Sequence, residues 1–85
     1  MEPYYSKKFK KDYRSLPKDI QKLADKQLAH LFKNPGHPSL KTKKMQDPRE
    51  IWEGRINYAY RFTFHWKRKI CVLRRIGTHG VLKKP

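Results

Sequence analysis

The chain is predicted to be α+β: a short N-terminal strand and a two-helix hairpin packed on an antiparallel sheet of about four strands. Two patterns and one contrast carry this. Tyr60, Phe62, Phe64 and Trp66 alternate with Arg61, Thr63 and His65, the period of two that sends successive strand side chains to opposite faces. Ile20, Leu23, Ala24, Leu28, Leu31 and Phe32 repeat at helical spacing and mark one apolar face. Between them, residues 34 to 50 hold three prolines and Gly36, the only glycine before Gly54, which is loop composition.

In chain order, residues 2 to 5, EPYY, suit a short first strand. Ser6 has the chemistry of a helix N-cap, and Phe9, Tyr13 and Leu16 follow on one helical face amid Lys7, Lys8, Lys10 and Lys11. Pro17 fits the first position of a second helix, Asp19 sits in its first turn where the dipole favours negative charge, and Pro35 ends it after Asn34. The loop carries Lys41, Lys43 and Lys44, either solvated or part of a ligand surface. Trp52 and Ile56 then oppose Glu53, Arg55 and Asn57, with Gly54 leaving a gap for a neighbouring ring or backbone. Lys67 to Lys69 form a turn. The run Ile70, Cys71, Val72, Leu73 is continuous, as in a central strand covered on both faces. Gly77 to Gly80 reads as a closing turn, with almost no room for a further helix.

At 85 residues the chain is one domain, 1–85, and buries only roughly 60 to 65 % of its unfolded surface, too little for a large enclosed active site. One cysteine, Cys71, excludes an internal disulfide and is most simply core. No apolar run suits a membrane span or a signal peptide, so the expected location is cytoplasmic with no membrane partner. Twenty-two Lys and Arg oppose seven Asp and Glu, for a net charge of +15. Such a charge implies an acidic partner, either nucleic acid or an acidic protein that masks the surface. Residues 51 to 85 hold nine of the basic residues and a single carboxylate, Glu53.

The segments YSKKFKKDYRSLP, LFKNPGHPSLK, IWEGRI, YRFTF and IGTHGVL, in this order and spacing, resemble the RelE/ParE toxin superfamily over nearly the whole chain. The resemblance implies a toxin of a type II toxin-antitoxin system, neutralised by a cognate antitoxin in a complex expected to be oligomeric. RelE-like members imply a ribosome-dependent mRNA interferase that cuts mRNA in the A site; ParE-like members imply a DNA gyrase inhibitor. By position, Arg61 matches the arginine after the aromatic of the middle strand, and His79 the arginine or histidine after the last strand. Glu53 and Arg55 stand where RelE itself has lysines, and Gly80 where some relatives carry an aromatic.

Metal-independent RNA cleavage needs a base for the 2′-OH, a cation for the phosphate and an acid for the leaving oxygen. The four histidines show no ligand spacing, and no cofactor is implied. Arg61 is the candidate cation, since its guanidinium grips two phosphate oxygens; Arg55, on the face of Glu53, either holds a flanking phosphate or orients that carboxylate. His79 has the side chain whose ordinary pKa suits acid/base work near neutrality. Glu53 is either the base or a structural partner of Arg55 or Arg61. Lys41, Lys43 and Lys44 are expected to contact RNA phosphates, Tyr58 to stack on a base and His65 to touch RNA. A non-catalytic RNA-binding protein fits the same charge.

Overall fold

The structure, a computed structural model, describes residues 2–85. Its elements are β1 (Glu2–Tyr5), α1 (Lys7–Arg14), α2 (Lys18–Lys33), a 3-10 turn at Pro38–Leu40, β2 (Lys43–Lys44), β3 (Trp52–Arg55), β4 (Tyr60–Lys67), β5 (Ile70–Thr78) and a last 3-10 turn at His79–Leu82. The strands form one sheet in the order β1-β5-β4-β3-β2. The expected four antiparallel strands are therefore five, and β1 runs parallel to β5. The strand missing from the sequence reading is β2, whose two lysines pair with Glu53 and Trp52; two residues leave no periodicity to detect. Nor is 34 to 50 a bare loop, because Leu40 is fully buried.

Ser6 opens α1 as expected: its Oγ accepts from the Phe9 N–H at 3.1 Å and donates to the Arg74 carbonyl at 3.0 Å. Pro17 sits one residue before the helical position expected of it, as the N-cap of α2. Its carbonyl accepts from Gln21 N at 2.9 Å. Ile20, Ala24, Leu28 and Leu31 face the sheet, whereas Leu23 points outward. Gln27 shares the buried stripe, donating to the Arg55 carbonyl at 2.9 Å and clamping α2 to β3.

Phe62 and Phe64 lie beneath the helices with at most 1 % exposure, each burial stabilising by about 2 kcal/mol. Gly54 pairs with Phe62 across the sheet, and a Cβ there would stand 2.3 Å from the Phe62 ring. The gap foreseen at Gly54 is filled by that ring. Trp66 extends beyond the helices and is 38 % exposed.

In β5 the buried residues are Cys71, Leu73 and Ile76, a spacing of two and then three. The extra residue is a bulge: Thr63 pairs with Arg75 and Phe64 with Leu73, leaving Arg74 unmatched. β5 is internal, between β1 and β4, but helices cover only one of its faces, and Ile70 and Val72 look out from the other. Where β1 stops, α1 takes over the edge of β5. Ser6 N donates to the Leu73 carbonyl at 3.1 Å, and Asp12 Oδ2 accepts from Ile76 N at 3.2 Å. Burial pushes the Cys71 thiol up to about 12, so this residue is core, as expected.

Candidate nucleic-acid interface

The sheet face turned away from the helices carries the candidate residues, and it is less open than alternation suggests. Arg61 is 7 % exposed and Thr63 fully buried. The sequence reading of one dry and one wet face fails here because residues 79 to 85 fold back over the sheet. Val81 is buried near Gly77. Thr63 Oγ1 then donates to the main-chain oxygen of Pro85 at 3.2 Å, Arg74 Nε to the same oxygen at 3.0 Å, and Arg75 Nη1 to the Lys84 carbonyl at 3.2 Å. The strand also runs on through Thr78, so the closing turn begins at His79 rather than Gly77.

Arg61, expected to be a free cation, is tied to its own hairpin. Its Nη1 donates to the main-chain oxygens of Asn57 at 2.7 Å, Tyr58 at 2.5 Å and Tyr60 at 3.4 Å. The β3–β4 turn has carbonyls pointing inward, and the guanidinium satisfies them. Tyr58, at the tip, is 85 % exposed. Arg55 pairs with Arg61 across the sheet and is half-buried, and His79 is exposed. Lys41 ends the Pro38–Leu40 turn in the left-handed conformation, with φ of 45°. Lys43 lies beside Glu53, and Lys44 pairs with Glu50 at 3.2 Å in solvent.

A different group of side chains meets at the other end of the face. Arg74 Nη1 lies 3.0 Å from His65 Nδ1. A guanidinium only donates, so Nδ1 accepts and the neutral ring carries its proton on Nε2. Burial, then the charges of Arg74, Lys67 and Arg49, hold the His65 imidazole below its ordinary pKa, which leaves it neutral at pH 7. Glu53 is opposite Thr63, two residues from His65 on the same face, a diagonal of about 7 to 8 Å. His79 is remote from this group: Thr78 pairs with Tyr60, five residues along β4 from His65 and so roughly 16 Å away. The two histidines cannot serve one phosphate.

Arg74 opens into a cleft of about 500 Å³ whose rim includes Lys7, Lys8, Arg49, Lys83 and Lys84. Arg49 is fixed there by Asp47, with contacts of 3.0 and 2.8 Å that hold the Asp47 carboxyl down at about 2. Arg75 is held toward α1 by Asp12 at 2.7 Å. The sequence reading passed over Arg74 and Arg75. The signal was there, in the two-then-three spacing of Cys71, Leu73 and Ile76, which calls for a bulge and leaves two adjacent arginines off the core face.

Together these features define a small α+β domain with one helix-free, strongly basic sheet face, and the fold is RelE-like. No protein-family model and no curated protein matches the chain. Among solved structures, it is similar to YafQ from E. coli strain BL21(DE3), at TM-score 0.79 and 19 % identity over 95 % of this chain and 96 % of that one. It is also similar to a metal-bound toxin from Helicobacter pylori, at TM-score 0.77 and 22 % identity over 96 % and 98 %. A third is the RelB-RelE antitoxin-toxin complex from Methanococcus jannaschii, at TM-score 0.75 and 17 % identity over 94 % of each chain. Among the described residues no helix is long and apolar enough to cross a membrane.

Proposed function

We propose that this chain is the toxin of a type II toxin-antitoxin system and a ribosome-dependent mRNA interferase, acting in the cytoplasm on mRNA in the A site. The observation that carries the reading is the neutral imidazole of His65 against the Arg74 guanidinium, at the mouth of a cleft rimmed by lysines. The RelE-like fold supports it, since two of the compared structures are toxins, one of them held by an antitoxin.

In this mechanism Arg74 turns its Nη1 from His65 Nδ1 to the phosphate when RNA binds, and the freed Nδ1 takes the 2′-OH proton as the 2′-oxygen bonds to the adjacent phosphorus. Arg74 and the lysines of the cleft stabilise the added negative charge. The P–O5′ bond breaks, and the imidazolium returns the proton to the departing 5′-oxygen, leaving a 2′,3′-cyclic phosphate and a 5′-hydroxyl. Glu53, on the diagonal from His65, favours the transient imidazolium. Arg61 builds the turn that presents Tyr58, while Arg55, His79, Lys41, Lys43 and Lys44 border the path of the message. So open a face cannot orient RNA by itself, so the decoding centre supplies that positioning. An acidic antitoxin covers the basic face in the resting cell.

The test is primer extension on a message held on programmed ribosomes, with free RNA as control. Wild type is expected to cut at the A-site codon only when ribosomes are present. His65→Ala should cut at least 100-fold more slowly while keeping a cooperative melt, and His79→Ala much less so. Growth arrest without cleavage would replace this reading with gyrase inhibition. Neither arrest nor cleavage would leave a non-catalytic RNA-binding protein.

A further inference from the structure

We propose that Tyr4, Val72 and Ile70 form a stacking subsite for one nucleobase of a single-stranded RNA whose phosphates lie in the adjoining basic cleft. The inference rests on the RNA-directed reading above and adds to it a site for a base rather than a phosphate. Tyr4 is in the edge strand β1, yet it is 59 % exposed, and Ile70 is 37 % exposed. Pairing sets Tyr4 beside Val72 and Val72 beside His65, so the three stand in one row on the helix-free face. Glu2, Ile70 and Lys67 form the next such row.

These residues enclose a hollow of about 350 Å³ lined by Tyr4, His65, Lys67, Ile70 and Val72. Its floor is aliphatic, one wall is a phenol ring, and its polar members are one imidazole and one ammonium group. A flat aromatic ring with polar edges suits such a lining. The identity of the occupant follows from what adjoins it. Val72 also lines the cleft of Arg74, Lys7, Lys8, Lys83 and Lys84, so whatever fills the hollow continues into a strongly cationic channel. Single-stranded nucleic acid joins a planar ring to a phosphate at every step, and cationic grooves with aromatic side chains bind it by stacking and charge together. A protein partner would bring an aromatic ring here without a regular series of anions. Tyr58, the exposed tyrosine that the sequence favoured for stacking, is instead at the opposite end of the sheet, in the turn before β4, away from this channel.

The experiment is fluorescence anisotropy with two labelled octanucleotides, oligo(U) and its abasic counterpart, on wild type, Tyr4→Ala, Tyr4→Phe and Arg74→Ala. Tyr4→Ala is expected to weaken oligo(U) on the order of tenfold and to leave the abasic strand unchanged, while Tyr4→Phe matches wild type. Arg74→Ala should weaken both strands alike. Equal weakening of both strands by Tyr4→Ala, or none, overturns the subsite and leaves the RNA reading standing. If wild type binds neither strand, the subsite falls, and the RNA reading stands or falls with the ribosome assay above. A cooperative melt of Tyr4→Ala at the wild-type temperature excludes an effect through folding.

Discussion

Two arginines on the same face of the sheet illustrate how differently one residue type can be used. Arg61, at the β3–β4 turn, is 7 % exposed and spends its guanidinium on three main-chain oxygens of its own hairpin. Arg74, at the bulge of β5, is half-buried and donates to an imidazole and to the tail at the mouth of a basic cleft. Both are strand arginines next to apolar residues, and in sequence Arg61 has the stronger claim because it lies in the clearest alternation. What separates them is their surroundings. A tight turn supplies carbonyls that its own arginine satisfies, whereas at the bulge Ser6 satisfies the Arg74 carbonyl and the guanidinium is left to the imidazole and the tail beside the cleft. The hairpin end of the face thus commits its arginine to the backbone of the turn, and the bulge end sets its arginine against an imidazole beside the cleft.

The largest effect should come from the hairpin end. Gly54→Ala forces a methyl group into the Phe62 ring, 2.3 Å from its nearest atom, and is expected to cost about 3 kcal/mol, read as a fall in the urea midpoint. A variant as stable as wild type would mean that β3 and β4 separate easily and that this end is not rigid.

Arg61→Ala strips the turn carbonyls of their donor and should cost about 2 kcal/mol. Lysine should not restore it, since an ammonium on a flexible stem cannot reproduce the guanidinium contacts. The contrast is sharpest if RNA affinity, corrected for the folded fraction, stays within twofold of wild type.

Arg74→Ala should do the reverse. Stability is expected to fall by less than about 1 kcal/mol, while RNA affinity drops and the slope of log K against log salt becomes shallower by about 0.7, the value for one lost single-strand phosphate contact. If titrations at several salt concentrations give Arg61→Ala the altered slope and Arg74→Ala the unaltered one, the assignment of the two ends is reversed.

The smallest effect is in pH. His65 is held below its ordinary value of 6.5 by burial and neighbouring cations, and His30 likewise by burial, His37, Lys26 and Lys33. The unfolded chain therefore binds more protons than the folded one as pH falls through the window below about 6.5. Stability contributed by the neutral rings is complete above that value and is lost toward pH 5. Urea midpoints at pH 7.5 and 5 should show the decline, and His65→Gln should reduce it without abolishing it. An unchanged decline in the variant would place His65 in a solvated setting and remove it as the base.

The sequence determined the elements whose cause is local. Ser6 caps α1 because its hydroxyl reaches the Phe9 amide three residues on. Pro35 follows the end of α2, and the stripe of Ile20, Ala24, Leu28 and Leu31 turns inward. The alternation through Phe62 and Phe64 and the missing side chain of Gly54 likewise announce a strand packed closely on its neighbour. The tertiary structure alone decided matters that depend on distant partners. β2 exists because Glu53 and Trp52 lend two lysines a strand to pair with. Thr63 is buried because Pro85 lies over it, 22 residues away, and Arg75 is drawn toward α1 by Asp12, 63 residues away. His65 is held neutral only because the fold buries it and brings Arg74, Lys67 and Arg49 near its ring. Periodicity tells which way a side chain points, but whether a cation or an imidazole is free to act depends on which distant groups the fold brings into contact with it.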